Sequence, residues 1–243
     1  MRRVLSYIRR AVDDYNMIEK GDRIAVGVSG GKDSTALALG LNALKRFYPK
    51  KFEVVPITLD MGFEGMDFSS LQKYLKCEGL DLHIEKTNIS EIVFDIRNEK
   101  NPCSLCAKLR RGALHDAAKA QGCNKVALGH HFDDVIETFF LSLFYEGRIG
   151  CFSPVTYLDR KDIHVIRPLI YMTESQVIGF MNRYDIPTVK STCPADGATK
   201  REDMKTLVRK LNSENHGLSE RVFNAIKGAL PDWKTENKNE RLF

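Results

Sequence analysis

Two groups of residues in this sequence have the types and spacing to do chemistry. One is the run Ser29-Gly30-Gly31-Lys32-Asp33-Ser34, which follows the apolar stretch RIAVGV and opens a helical pattern. Glycines let a backbone approach a phosphate closely and turn a row of N–H groups toward it. A helix N-terminus adds partial positive charge, Lys32 a full one, and Ser29 and Ser34 hydroxyl donors. The run is not a Walker A motif: Val26 stands where the first glycine would be, and Asp33 follows Lys32 where that motif needs Ser or Thr. The chemistry it suits is capture of a phosphorylated ligand at the end of a strand.

The other group is the six cysteines, Cys77, Cys103, Cys106, Cys123, Cys151 and Cys193. The N-terminal MRRVLSYIRRAVDDYN lacks the apolar core of a signal peptide, so a cytoplasmic chain is expected and a disulfide framework is not. Cys103 and Cys106 form a CxxC just before a predicted helix, a spacing that serves one metal ion, one cluster or a redox disulfide. A zinc site wants four ligands, and no second CxxC occurs. Cys193 lies among turn formers in Ser191-Thr192-Cys193-Pro194, so a loop is expected there. Three thiolates suffice to hold an iron–sulfur cluster with one iron left open. Cys77, in an apolar-periodic helix, and Cys123, before a strand, read as buried small hydrophobes; so does Cys151, although its neighbours do not define its surroundings.

A third constellation ends a predicted strand: Gly129, His130, His131, Phe132, Asp133 and Asp134, running into Glu137 and Thr138. His130, His131, Asp133 and Asp134 gather donors and carboxylates at a strand end, and carboxylates near a triphosphate suggest Mg²⁺. The plainer alternative is that the two aspartates charge the first turn of a helix. Glu137 and Thr138 lie one turn further on and read as support.

These groups need a frame. Apolar strands are predicted at residues 23–29, 52–60, 82–86, 125–129 and 165–168, with Pro56 a blemish in the second. Helices are predicted at 2–18, 33–47, 68–80, 105–120, 133–145 and 174–184. Strands alternating with helices of ten to fifteen residues mean βαβ crossovers, hence an α/β fold with a parallel sheet and helices on both faces. In such sheets ligands bind at the carboxyl ends of the strands, where the groups above fall. The expected division is a basic N-terminal helix at 1–20, the ligand-binding domain at 21–190, and a third-cysteine loop with a helical tail at 191–243, the last dozen residues frayed. Of the 243 residues, 43% are hydrophobic and 28% charged, which excludes wholesale disorder. No apolar run is long enough to span a bilayer, so no membrane partner is expected.

SGGKDS resembles the PP-loop of the ATP-pyrophosphatase superfamily, which cleaves ATP between its α and β phosphates and attaches AMP to a carbonyl oxygen. The strand end Thr58-Leu59-Asp60, where that superfamily carries a functional acid, and the run from His130 to Thr138, which fits HxxDDxxET, are similar to the same group. The CSLCAKLRRG string from Cys103, the DYNMIEKGDR string from Asp14, and Ile166-Arg167-Pro168-Leu169 narrow the resemblance to the tRNA 2-thiocytidine synthase family, over about residues 2–230. That resemblance implies an adenine nucleotide alpha hydrolase-like fold and a [4Fe–4S] cluster on Cys103, Cys106 and Cys193. It implies ATP and Mg²⁺ at Ser29, Gly30, Gly31, Lys32, Asp33, Ser34, Gly129, His130, Asp133 and Asp134, with Asp60 and the three cysteines in the catalytic role. The reaction implied is adenylation of O2 of cytidine 32 in a tRNA anticodon loop, followed by replacement of that oxygen by sulfur. The partners implied are tRNA, a sulfur donor such as a cysteine desulfurase or free sulfide, and a second copy of the chain in a homodimer. Better-known members carry two cysteines in the later segment, whereas this chain has Cys193 alone.

Net charge is +5, from 37 Lys and Arg against 32 Asp and Glu, which permits a polyanionic partner without requiring one. Arg2, Arg3, Arg9 and Arg10 stud the first helix, Lys108, Arg110 and Arg111 follow the CxxC, and Lys200 and Arg201 follow Cys193. Such clusters could grip RNA phosphates around a splayed base. Two rivals use the same residues: a 2-thiouridine synthase or cluster-dependent small-molecule sulfur enzyme, and a non-catalytic nucleotide-binding protein with zinc at the cysteines.

Overall fold

The computed structural model of the chain describes residues 1–97, 102–194 and 200–235. It contains a six-stranded sheet in the order β3-β2-β1-β4-β6-β5. The strands are β1 (Arg23–Gly27), β2 (Glu53–Asp60), β3 (His83–Lys86), β4 (Lys125–Ala127), β5 (Val155–Leu158) and β6 (Ile163–Ile166). All pair in parallel except β5, which returns antiparallel on β6 as a hairpin. The expected parallel α/β architecture holds. The hairpin is an addition: β5 has only four residues, none of them fully buried, so its sequence lacks the apolar signal of the inner strands.

Pro56 sits inside β2, paired with Val26 of β1. Pairing with β3 begins only at Ile57, so the N–H that proline lacks lies ahead of the β3 ladder. The helices are α1 (Arg2–Asp14), α2 (Lys32–Leu44), α3 (Ser69–Cys77), α4 (Pro102–Ala120), α5 (Phe132–Tyr145), α6 (Glu174–Arg183), α7 (Lys200–Glu214) and α8 (Leu218–Ala229), with a short π-helical turn at Glu91–Ile96. Helix α1 buries Val4, Ile8, Ala11 and Val12, the face its periodicity predicts. It packs on α2 at Gly40, where a Cβ would collide with Ile8 Cδ1.

The sheet separates two apolar layers. One face meets α1, α2, α6 and α8 through Ile24, Val26, Leu37, Leu41, Ile166, Val177 and Phe223. The other meets α4 through Ala25, Ile57, Val126 and Val165 against Leu114, Ala117 and Ala118. No described helix is long and apolar enough to cross a membrane.

The tail departs from expectation. Trp233 is 1% exposed and donates from Nε1 to the Phe152 carbonyl at 3.1 Å, while Tyr15 donates to the Trp233 carbonyl at 3.3 Å. The fraying read for the last dozen residues therefore does not extend to Trp233, because one large aromatic anchors the chain there. Residues 236–243 of that tail lie outside the described residues.

Candidate functional site

Strand β1 delivers the chain to Ser29, and α2 begins at Lys32, so the glycine-rich run is the β1–α2 turn at the carboxyl edge of the sheet. Gly30 adopts φ +87°, and a Cβ there would sit 2.8 Å from Val189 Cβ. Ser34 Oγ accepts from the Ser29 N–H at 3.0 Å, and Thr35 Oγ1 donates to the Gly31 carbonyl at 2.9 Å. These bonds rigidify the turn from within. Helix α2 has no side-chain cap, so its first-turn N–H groups have no partner from a capping side chain. Helices α5 and α6, which start at the same edge, both carry complete capping boxes. An uncapped N-terminus behind a glycine turn fits a phosphate group.

Gly129 explains why β4 ends at Ala127, two residues earlier than predicted. A Cβ on Gly129 would lie 2.9 Å from the Ser34 nitrogen and 3.0 Å from the Asp33 carbonyl carbon. The chain leaving β4 thus lies directly on the first turn of α2.

The residues after Gly129 divide in role. His131 is 5% exposed and caps α5: its Nδ1 accepts from the Asp134 N–H at 3.4 Å, and Asp134 Oδ2 accepts from the His131 N–H at 2.8 Å. Asp133 accepts from the Glu174 N–H at 2.7 Å and so fastens the start of α6. Asp134 Oδ1 also accepts from Arg201 Nη2 at 2.7 Å. Both aspartates are engaged as caps and latches. Asp33 differs: its Oδ1 is buried without a hydrogen-bond partner, 3.8 Å from His131 Nε2. Among the described residues no three His, Cys, Asp or Glu side chains converge as a metal site. Asp33 Oδ1 is the acidic oxygen of this group that could meet a cation brought in with phosphates.

Lys32 Nζ lies 3.0 Å from Asp33 Oδ2 and 3.2 Å from Glu174 Oε1. Burial works to lower the Lys32 pKa, but the two carboxylates outweigh it and the ammonium is held above its usual range. Burial likewise pushes Glu174 up, yet Lys205 and Lys32 overcome it and hold the carboxyl down at about 2. Glu174 was read from sequence only as the first residue of a helix; its role depends on α6, α7 and α2 meeting, which no local pattern encodes.

His130 and Glu137 flank Arg201. Burial, then the charges of Arg167 and Arg201, push His130 down to about 4, and its Nδ1 has no partner. Burial pushes Glu137 up to about 7, against the attraction of Arg201 Nε at 3.3 Å. A carboxyl raised from 4.5 to about 7 stabilises the fold below 4.5 and loses that contribution as pH climbs to 7. The depressed imidazole does the reverse, contributing above 6.5 and losing it as pH falls toward 4. We expect Glu137→Gln to gain stability on wild type by a few kcal/mol between pH 4.5 and 7 and then level off. Urea unfolding at several pH values measures this; a constant difference would show that Glu137 titrates normally.

The cysteines form a second group beside the first. Helix α4 begins at Pro102, earlier than predicted, because proline suits the first helical position. Cys103 and Cys106 therefore occupy its opening turn. Cys106 is buried against Ile89 and Val93, with Met61, Phe94 and Leu109 around them. Burial raises its thiol pKa, Arg110 opposes that, and Cys193 and Cys103 are both close enough to raise it further. Cys106 is shielded by an apolar pocket, Cys103 is exposed and Cys193 half-buried, and among the described residues the three do not close into a ligand set. Of the other three, Cys123 is buried as expected. Cys151 is half-buried, with burial pushing its thiol to about 11. Cys77 is exposed, contrary to the reading of a buried hydrophobe: α3 buries Leu71 and Leu75 and turns Cys77 outward.

One strand of chain connects the two groups. The Val189 N–H donates to the Gly30 carbonyl at 2.9 Å, Thr192 approaches Gly65, and Cys193 follows near Cys106. Asp60 ends β2 and accepts from the Gly62 N–H at 3.0 Å, while neighbouring Met61 packs in the Cys106 pocket. Thr58 Oγ1 is buried on that strand without a partner.

The basic clusters are less free than their sequence suggested. Arg201 is held by Asp134 and Glu137, and Lys200 lies over the Tyr145 ring at 4.4 Å. Arg9 and Arg10 pair with Asp13 and Asp14 along α1. Lys108, Arg110 and Arg111 remain exposed on α4 beside the CxxC.

The profile of the PP-loop domain family matches residues 4–210. The tRNA-cytidine(32) 2-sulfurtransferase of Geobacter metallireducens is 38% identical over 244 residues, covering 99% of this chain and 95% of that protein. The protein of the same name from Pelobacter propionicus is 40% identical over 233 residues, covering 95% and 87%. Among solved structures, the U34-tRNA thiolase NcsA from Methanococcus maripaludis, determined with its [4Fe–4S] cluster, superimposes with a TM-score of 0.74 at 22% identity, covering 92% of this chain and 77% of that one. That likeness establishes a shared fold. By the family profile and by near-complete alignment to these relatives, the chain belongs to the tRNA-cytidine(32) 2-sulfurtransferase family of PP-loop proteins.

Proposed function

We propose that this enzyme uses ATP to replace the C2 oxygen of cytidine 32 in a tRNA anticodon loop with sulfur. The observation that carries the reading is the segment from Val189 to Cys193, which is bonded to Gly30 at one end and brings a third thiol beside Cys106 at the other. It links a phosphate cradle to a sulfur-bearing group through one short stretch of chain.

In the first step O2 of the cytosine attacks the α-phosphorus of ATP and pyrophosphate leaves. The α2 N-terminus and Lys32 hold the negative charge of the departing phosphates, fixed before the reaction begins. In the second step a sulfur nucleophile adds to C2, and AMP departs carrying the former O2. Asp60, at the end of β2 next to Met61, is assigned to orienting the cytosine. Cys103, Cys106 and Cys193 would hold a [4Fe–4S] cluster, which supplies a soft site for inorganic sulfur. Three thiols suit such a cluster better than zinc, which takes four ligands. Lys108, Arg110 and Arg111 are placed to meet RNA phosphates beside that site. The sulfur itself comes from a cysteine desulfurase or from free sulfide.

Mass spectrometry of nucleosides from the tRNA of a deletion strain tests this. Loss of 2-thiocytidine, restored by the wild-type gene and not by Lys32→Ala, is the expected result. Unchanged 2-thiocytidine with loss of a 2-thiouridine would assign the product to the other base.

A further inference from the structure

Resting on the reading of Gly30 to Ser34 as the ATP cradle, we infer that Glu174 is a positioning residue that shares its charge between Lys32 and helix α7, so that docking of α7 releases Lys32 to the nucleotide. Glu174 is the first residue of α6, and its backbone is fixed twice, by the Thr173–Gln176 capping box and by Asp133, which accepts its N–H at 2.7 Å. Its carboxylate is 13% exposed and meets three cations: Lys205 Nζ at 2.8 Å, Lys32 Nζ at 3.2 Å and Arg209 Nη2 at 3.2 Å. Lys205 and Arg209 stand one turn apart on α7, and Arg201 one turn earlier grips Asp134 and Glu137. One face of α7 is thus tied to the acids that surround the cradle.

The coupling follows from charge. A triphosphate entering the cradle must draw Lys32 away from Glu174. Were Lys32 the sole partner, its departure would strand a largely buried carboxylate, which is strongly unfavourable. Lys205 keeps that carboxylate paired. It is 21% exposed, against 66% for Arg209, so it carries most of the effect. Docked α7 therefore lowers the cost of nucleotide binding. By linkage, bound nucleotide holds α7 more firmly, because Glu174 no longer divides its oxygens three ways. Helix α7 begins shortly after Cys193 in the sequence, so the device ties the state of the cradle to the helix that follows the third thiol.

Binding of α,β-methylene-ATP, which cannot be cleaved between its first two phosphates, tests this by calorimetry. We expect Lys205→Met to weaken binding about tenfold, in the lower part of the range for a single coupling. Lys205→Arg should bind as wild type does, which shows that charge and not the change itself matters. Glu174→Gln should bind at least as tightly as wild type, and Glu174→Gln/Lys205→Met should match Glu174→Gln. Hydrogen exchange supplies a readout independent of affinity: the analogue should slow exchange in α7 of wild type and leave it unchanged in Glu174→Gln. Wild-type affinity in Lys205→Met overturns the inference, as does a double variant as weak as Lys205→Met. A wild-type protein that binds no nucleotide fails at the cradle itself, and is recognised because no variant then differs from it.

Discussion

Gly129→Ala is expected to impair ATP binding and use severely while Gly179→Ala leaves both untouched. Neither glycine has a positive φ, so backbone strain does not separate them. What separates them is the space a methyl group would need. At Gly129 the added Cβ meets the Ser34 nitrogen at 2.9 Å, the Asp33 carbonyl carbon at 3.0 Å and Ser34 Cα at 3.1 Å. These are backbone atoms of the first turn of α2, which no rotamer change can withdraw. The turn must move, and with it the uncapped N–H groups and Lys32. Overpacking of this kind costs about 3 kcal/mol, at the upper end of its range because the struck atoms are main chain. For a chain of this length that lowers the midpoint of thermal unfolding by about 6–12 °C. A displacement near 1 Å at a positioned group costs on the order of a hundredfold in rate. Gly179 lies on α6 with nothing within 4 Å of its added Cβ. Alanine there gains helix propensity, about 1 kcal/mol. Differential scanning calorimetry and analogue binding on the two variants give opposite signs if the contact between β4 and α2 holds the cradle. Unimpaired binding in Gly129→Ala would remove the glycine from the site.

Much of this cradle was legible in the sequence, because each of its demands selects a residue type. A turn with φ +87° selects glycine at position 30, and a close crossing selects glycine at 129. The parallel sheet was legible for a related reason: inner strands such as β1 have an unbroken buried apolar centre, Ile24-Ala25-Val26, and the helices between them are long enough to show their period. What stayed hidden depends on contacts far apart in the chain. Glu174 draws its partners from positions 32, 205 and 209, so nothing in its own neighbourhood marks it. Trp233 looks like part of a polar tail until Phe152 and Tyr15 are brought to it. Cys77 shows the opposite failure. Its helix has an apolar period, but the buried face is set by Leu71 and Leu75, and the cysteine falls outside it. The HxxDDxxET run was half legible: Asp133 and Asp134 do lie in the first turn of α5, as the macrodipole argument has it, but the cap on His131, the latch of Asp133 to α6 and the unpaired oxygen of Asp33 depend on contacts the run does not show.

The largest effect on sulfur transfer is expected at Cys193. Cys193→Ala should yield colourless protein after anaerobic purification, without iron or sulfide and without 2-thiocytidine formation, yet folded. The thiol is half-buried on a loop segment, so its removal costs the fold little, within about 0.5 kcal/mol. Its loss matters chemically because Cys103 and Cys106 alone leave two ligands where three are proposed. The same thiols predict a proton dependence. Burial holds Cys106 above the usual thiol pKa, and its two sulfur neighbours hold it higher still. Cluster binding requires thiolates, so reconstitution must release protons and should slow as pH falls. Cys123→Ala serves as the reciprocal control. That thiol is 2% exposed against Val126 and Ala118, so the variant should lose about 1–2 kcal/mol of stability and keep iron, sulfide and activity. Cys77→Ala, on the solvent side of α3, should keep all of them at wild-type stability. Iron and sulfide analysis beside thermal unfolding thus separates a ligand from a packing residue. A full complement of iron in Cys193→Ala would mean that the third ligand lies elsewhere, and that the segment tethered to Gly30 serves the nucleotide alone.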